Sequence, residues 1–223
     1  MTQDYLTQNL IKYLSQFVTQ RKRGRMQQVL QQRTRHLTVV LENIFQPHNA
    51  SAVIRSCDCF GVQDLHIIEQ KNTFRPNKDI ALGANQWVSL HKYQSSKACI
   101  EHLKNNGYQI AALTLKPYSQ PLHELDITQK TALCFGMEEH GLSDIMHQHA
   151  DHFVFIPMHG FTQSFNISVS AAISLYSLTE KLRASTQNWQ LNDHEQQTLS
   201  LEWLIRATPK GKLLVREYLK KPV

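Results

Sequence analysis

The spacing of apolar residues changes character twice along this chain. Leu6, Leu10, Tyr13, Leu14 and Phe17 recur at helical intervals, which predicts an amphipathic helix over 4–18. Met26, Val29 and Leu30 predict a second helix over 24–34. At Leu37 the pattern becomes a short β-branched run, Leu37–Leu41, as expected of a strand covered on both faces. Residues 43–48 read as a loop closed by Pro47. Asn49 stands where it can cap a helix running to Phe60, with Ala50, Val53, Ile54 and Cys57 on one side and Gly61 ending it. Further strands are expected at 65–68, 88–93, 108–114, 131–135 and 153–156. Helices are expected at 95–106, from near 142, and at 167–182. The tail, 193–220, reads as two helices broken around Thr208–Pro209.

Strands alternating with helices imply an α/β fold, a mainly parallel sheet covered by helices. The expected organisation is a basic helical extension over 1–36, an α/β domain over 37–186 and a second basic helical extension over 187–223.

Composition narrows the class. With 41% hydrophobic and 19% charged residues in 223, the chain is globular rather than disordered. No apolar run approaches the ~20 residues that span a bilayer, so no membrane role is expected. The N-terminus lacks the basic and apolar regions of an export signal. The four cysteines show no C-x-x-C spacing and are expected as reduced, buried thiols in a cytoplasm. Charge placement matters more than the net +6. Residues 21–35 hold six Lys/Arg and no acid, and residues 206–221 hold six more against Glu217, so the body between is mildly acidic. Two basic ends on an acidic body suit a polyanion binder, although solvated helix faces look the same in sequence.

Several chemistries can be set aside. No G-x-G-x-x-G follows the first strand, which argues against a dinucleotide site. The segment Gly136–Ser143 has Leu142 where a P-loop needs Lys, and Glu138 and Glu139 would repel phosphate. In His147-x-His149-x-x-His152, positions two apart would point to different faces of a helix, which disfavours a metal site. No G-x-S-x-G elbow is present.

Three segments carry residues that plain loops do not need. Glu42–Arg55 holds Asn49 and Arg55 in the pattern N-x-x-A-x-x-R. Phe135–Leu142 is a glycine-bracketed turn after a strand, G-x-E-x-x-G-L. Ile156–Ser170 contains I-P-M and then Q-S-x-N-x-S-V. In this order and spacing they resemble the three motifs of the SPOUT superfamily of RNA methyltransferases, nearest to the tRNA (guanosine-18-2′-O)-methyltransferase (TrmH) family, over about Leu37 to Leu182.

The resemblance implies a C-terminal deep trefoil knot, a homodimer with active sites near the subunit interface, and S-adenosylmethionine as cofactor. It implies cofactor contacts from Leu113, Thr114, Gly136, Ile156, Met158 and Phe165. The Gly136 backbone is expected to approach the ligand closely. Read from residues alone, Leu113, Ile156 and Phe165 are equally good core positions. The reaction is attack of a ribose 2′-hydroxyl on a sulfonium methyl. By resemblance Arg55 is central, either as a base or as a clamp that orients the hydroxyl beside a phosphate. An Arg on an apolar helix is expected to need a partner; by resemblance Glu138 either pairs with it or shapes its loop, and Asn49 fixes Arg55 or the ribose. Asn49, Glu138, Ser164 and Asn166 complete the implied site. The plain alternatives are an N-cap for Asn49, a solvated Glu138, and loop backbone satisfaction for Ser164 and Asn166.

The basic ends, with Arg21, Lys22, Arg23, Arg25, Lys210, Lys212 and Arg216, are expected to lie along RNA phosphates. Trp203 and Tyr218 either stack on bases or pack the tail. The implied substrate is tRNA, since the segment before the first strand is short for an added RNA-binding domain. A ribosomal RNA, a tRNA wobble nucleotide, or a non-catalytic RNA-binding role are the alternatives. Two departures from the family pattern are Phe165, where Leu is usual, and Glu180–Arg183, where basic residues are displaced.

Overall fold

The structure is a computed structural model that describes residues 3–44, 46–70 and 78–220. Phe45 of the predicted 43–48 loop, and Lys221 of the basic tail, lie outside it. The order is α1 (Gln3–Leu14), α2 (Gln20–Leu30), β1 (Leu37–Glu42), α3 (Pro47–Phe60), β2 (Asp64–Ile68), α4 (Lys78–Ala81), β3 (Ser89–Tyr93), α5 (Ser96–Asn105), β4 (Gln109–Leu113). There follow β5 (Gln120–Pro121), β6 (Thr131–Phe135), α6 (Asp144–His149), β7 (His152–Phe155), α7 (Ile167–Ala184), α8 (Asp193–Ala207) and α9 (Gly211–Lys220).

The strands form one sheet in the order β3-β2-β1-β6-β4-β7-β5, and every pairing between them is parallel. The central strands β1, β2 and β6 are buried at every position; β1 and β6 run largely apolar for that reason, whereas β2 buries Asp64 and His66 among its apolar residues. Alternate residues of β1 serve two cores. Leu37, Val39 and Leu41 meet Ala50, Val53, Ile54 and Cys57 of α3 and Leu175, Leu178 and Leu182 of α7. Val40 faces the other way, toward Ile100 and Leu103 of α5 and Met146 of α6. The result is a three-layer α/β/α unit, Thr34–Trp189.

The remaining helices, α1, α2, α8 and α9, form a second compact unit. The two basic termini therefore belong to the same helical unit. Trp203 is buried there with the Arg33 guanidinium 5.3 Å from its ring centre. Tyr218 packs on Tyr13 at 4.8 Å. Both aromatics thus pack the tail.

Several boundaries differ from the sequence expectation. The first helix ends at Leu14 and passes into a 3-10 turn over Ser15–Phe17. The second starts at Gln20, four residues early, because the Thr19 side chain accepts from Lys22 N at 3.3 Å and caps it. The third starts at Pro47 with Gln46 as its N-cap residue, so Asn49 lies inside the first turn and is not the cap. The four-residue α4 and two-residue β5 were too short for periodicity to register.

Candidate active site

Parallel strands deliver their following loops to one edge of the sheet, and ligands favour the point where strand order reverses. Here β2 and β3 lie to one side of β1, and β4, β6 and β7 lie to the other, with β6 inserted between β1 and β4, so the change of side falls at β1/β6, next to the loops that follow β6 and β4. The loops leaving β4, β6 and β7 enclose a pocket of about 280 Å³, at the small end of ligand sites (~300 Å³ and upward). Leu113, Thr114, Gly136, Ile156, Met158 and Phe165, the six expected cofactor contacts, all line it. Glu138 and Ser164 line it as well. Leu115, Phe155 and Ile167 extend an apolar wall that suits a flat heterocycle and a methylene chain, while Glu138, Gln163 and Ser164 supply a polar side. This mixture fits S-adenosylmethionine, whose adenine is apolar on its faces and whose ribose and amino acid ends are polar.

Asn49 is 2% exposed and its amide is fully engaged. Its Nδ2 donates to Glu138 Oε1 at 2.9 Å and to Gln46 Oε1 at 3.1 Å. Asn166 Nδ2 donates to Asn49 Oδ1 at 3.1 Å and to Glu138 Oε1 at 2.9 Å. One carboxylate oxygen thus ties α3 to the start of α7. Asn166 also caps α7, its Oδ1 accepting from Ser168 N at 2.9 Å and Ser168 Oγ at 2.6 Å. Asn166 therefore serves both the loop backbone and the network. Because Asn49 is not needed as a cap, its side chain is available for this contact.

Gly136, which lines the pocket, is required for a further reason. A Cβ there would lie 2.1 Å from the Gly141 carbonyl carbon and 2.3 Å from Leu142 N. The turn closes on itself through Met137 N to Gly141 O at 3.0 Å and Gly141 N to Met137 O at 2.8 Å. The glycine admits this self-closure, and the turn then presents Glu138.

Arg55 corrects a second expectation. It is exposed on α3, with no hydrogen bond or ion pair from its guanidinium among the described residues, and Glu138 is not its partner. Six residues from Asn49, it is turned to a different side of the helix, ~9 Å along the axis. It borders a separate shallow hollow with Ala52, Cys59 and Phe60 of α3 and Ser168, Val169, Ala172 and Ile173 of α7. Ser168 belongs to this hollow and donates to Asn166, so the two sites share a wall at the start of α7.

The expected RNA contacts Arg21, Lys22, Arg23 and Arg25 of α2, and Lys210, Lys212 and Arg216 at α9, are all exposed. Arg33 and Arg35, counted in the same basic run, are not: the first is buried, and the second pairs with Asp64 at 2.8 Å. The displaced basic residues after the third motif are also structural. Lys181 Nζ donates to the carbonyls of His123 at 3.1 Å and Leu125 at 2.7 Å. Arg183 donates to the Phe60 carbonyl and lies 4.9 Å from the Trp189 ring centre.

The polar network, the pocket and the strand order together delimit a family, and comparison supplies its name. Residues 36–176 match the SpoU rRNA Methylase family. The chain belongs to that family. It is 47% identical over 193 residues to a tRNA (guanosine(18)-2'-O)-methyltransferase of Borreliella burgdorferi, covering 86% of this chain and 88% of that one. A protein of the same description from Thermus thermophilus is 34% identical, covering 83% and 97%. Among solved structures, the A. aeolicus TrmH/SpoU tRNA modifying enzyme superposes with a TM-score of 0.75 at 32% identity, over 82% of this chain and 95% of that one. This SpoU methylase thus has its three sequence motifs brought to one edge of one sheet.

Two residues that support the candidate site were not singled out from the sequence. Gln46 holds the Asn49 amide in one orientation. Glu42, 1% exposed at the end of β1, accepts from Ser143 N and Oγ, both at 2.7 Å, and from Ser96 Oγ, and so anchors the end of the Glu138 turn. A carboxylate ending an otherwise apolar strand was the available signal for Glu42. The exposed Cys59 departs from the expectation that all four thiols are buried; no disulfide joins any of the four.

Proposed function

We propose that this SpoU methylase transfers a methyl group from S-adenosylmethionine to the 2′-hydroxyl of guanosine-18 in the D-loop of tRNA. The observation that carries the reading is the juxtaposition of the β4/β6/β7 pocket with the Asn49–Glu138–Asn166 network at its rim. The relatives named for this reaction, which it matches over most of both chains, support the choice of nucleotide. Bound in the pocket, S-adenosylmethionine supplies an electrophilic sulfonium methyl. The asparagine network and Ser164 hold the ribose. The Arg55 guanidinium clamps a substrate phosphate, which places positive charge beside the hydroxyl and lowers its pKa, and the hydroxyl proton leaves to water as the methyl group is transferred. Aligning hydroxyl and methyl contributes much of the acceleration.

The reading includes pairing of two copies. Val169, Ile173 and Tyr176 leave an apolar stripe along α7, with Phe60 6.2 Å from Tyr176, and Arg55 stands beside it. A partner seated there covers apolar surface that water otherwise meets and brings Arg55 to an interface. Light scattering is expected to give twice the chain mass, and thiol modification of Cys59 is expected to lower it. The reading also includes the family's trefoil threading, supported by β7 lying between β4 and β5, which are consecutive in sequence. The helical extensions, 1–36 and 187–223, bind RNA. In α2 the basic residues occupy the first turns, where the helix dipole adds to their attraction for phosphate. No helix of the described residues is long and apolar enough to cross a membrane; we place the enzyme in the cytoplasm, with its tRNA.

The test is transfer from methyl-labelled S-adenosylmethionine to unmodified bulk tRNA, with ribosomal RNA in parallel. Label in tRNA is expected. Label only in ribosomal RNA would move the substrate, and no label with no cofactor binding by calorimetry would leave a binding protein.

A further inference from the structure

The segment between β7 and α7 has no regular structure and forms one side of the pocket through Met158, Gln163, Ser164 and Phe165. Phe161, at the middle of this loop, does not line the cavity. Its relative exposure is 108%, the highest of any large apolar residue described. His159, Gly160, Thr162, Gln163 and Ser164 around it are exposed and polar or small. A lone benzyl ring on a polar loop is poor material for a protein interface, which needs contiguous apolar surface. That surface lies elsewhere, along Val169, Ile173 and Tyr176 of α7.

We propose that Phe161 is a stacking platform for a nucleobase of the RNA, at or beside the methylated nucleotide; this rests on the ribose-methylation reading above. Reaching a ribose in structured RNA requires unstacking the base it carries or its neighbour, and enzymes acting on RNA receive unstacked bases on aromatic faces. Phe161 is three residues from Ser164 and five from Asn166, so a nucleotide whose ribose meets those side chains has its base within reach of this ring. Stacking on a π-face tolerates every base. Phe161 therefore helps hold the nucleotide open and does not select guanine.

The experiment compares wild type with Phe161→Ala, Phe161→Leu and Phe161→Trp for methyl transfer to unmodified tRNA, with cofactor affinity by calorimetry and mass by light scattering. Phe161→Ala is expected to lower kcat/KM roughly 10- to 100-fold, with cofactor affinity, melting temperature and mass unchanged. Phe161→Leu, apolar but without a π-face, is expected to behave like Phe161→Ala. Phe161→Trp is expected to retain activity and to show quenching of its added indole emission on tRNA binding. Wild-type activity in Phe161→Leu would overturn the platform. So would a loss of activity that follows a loss of dimer mass, which would make the ring an interface residue. An inactive wild type removes the substrate reading and the platform with it; an active wild type with an equally active Phe161→Ala removes the platform alone.

Discussion

Two polar clusters in the α/β unit handle charge in opposite ways. Near the N-terminal edge of the sheet, Asp64 accepts from Arg35 at 2.8 Å and contacts His91 Nε2 at 2.9 Å. Burial works against the charge on Asp64, yet His91 and Arg35 hold its carboxyl below the usual range. His66 stacks on His91 at 4.8 Å, and burial, followed by that neighbour, pushes its pKa down to about 3. Here the groups answer one another. At the C-terminal edge, Glu138 is exposed and gives Oε1 to two asparagines, while Oε2 has no partner among the described residues. Arg55 is exposed with its donors unspent. The lesson is that displaced pKa values mark a structural cluster in this protein. The site is recognised by positioned groups with unused capacity.

If that contrast is right, substitutions at the two edges separate cleanly. The largest effect is expected at Arg55. Arg55→Ala should lower kcat by roughly 10³-fold or more, within the scale of acid–base and charge effects, while cofactor affinity and melting temperature hold. An active variant would remove Arg55 from the chemistry. Next, Glu138→Ala, which strips a shared acceptor from Asn49 and Asn166, should cost about 10²-fold in kcat. Glu138→Gln should be milder because its carbonyl oxygen can still accept; equal loss in both would show that charge matters more than geometry. Third, replacing Arg21, Lys22, Arg23 and Arg25 with Ala should raise KM for tRNA about tenfold near physiological salt and flatten its salt dependence, with kcat unchanged. An unchanged salt slope would show that α2 does not meet phosphate.

The smallest and most separable effect belongs to the other edge. His66 is neutral in the folded state and titrates near 6.5 once unfolded, so the unfolded chain takes up the extra proton as pH falls below that value. Stability should therefore drop by about 2 kcal/mol between pH 7 and pH 5, read from urea midpoints. His66→Gln should remove most of that slope while leaving methyl transfer at pH 7 intact. A slope unchanged in the variant would assign the pH dependence elsewhere.

Much of this was legible in the chain. The β-branched run at 37–41 marked a strand buried on both faces, the apolar run at 131–135 marked another strand, and the N-x-x-A-x-x-R spacing separated Asn49 from Arg55 before any geometry was known. What periodicity could not carry was orientation. A helix start three residues earlier converts Asn49 from a cap into a network member, and capping signals are ambiguous near that scale. Nor could sequence show that Arg55 faces away from Glu138, because six residues on a helix fix an angle only once the helix is docked. Gly136 was legible as special, but its cause, the carbonyl of Gly141 folding back on it, is a tertiary contact. The basic run divided for a similar reason: Arg35 is claimed by Asp64, 29 residues on.

The central claim is methylation of one hydroxyl, and the most direct measurement is transfer to a tRNA carrying a single 2′-deoxyguanosine at position 18. Stoichiometric methylation of the all-ribose transcript is expected, recovered as 2′-O-methylguanosine, and none of the deoxy-substituted one. Equal methylation of both would place the methyl group on another atom or nucleotide and contradict the account.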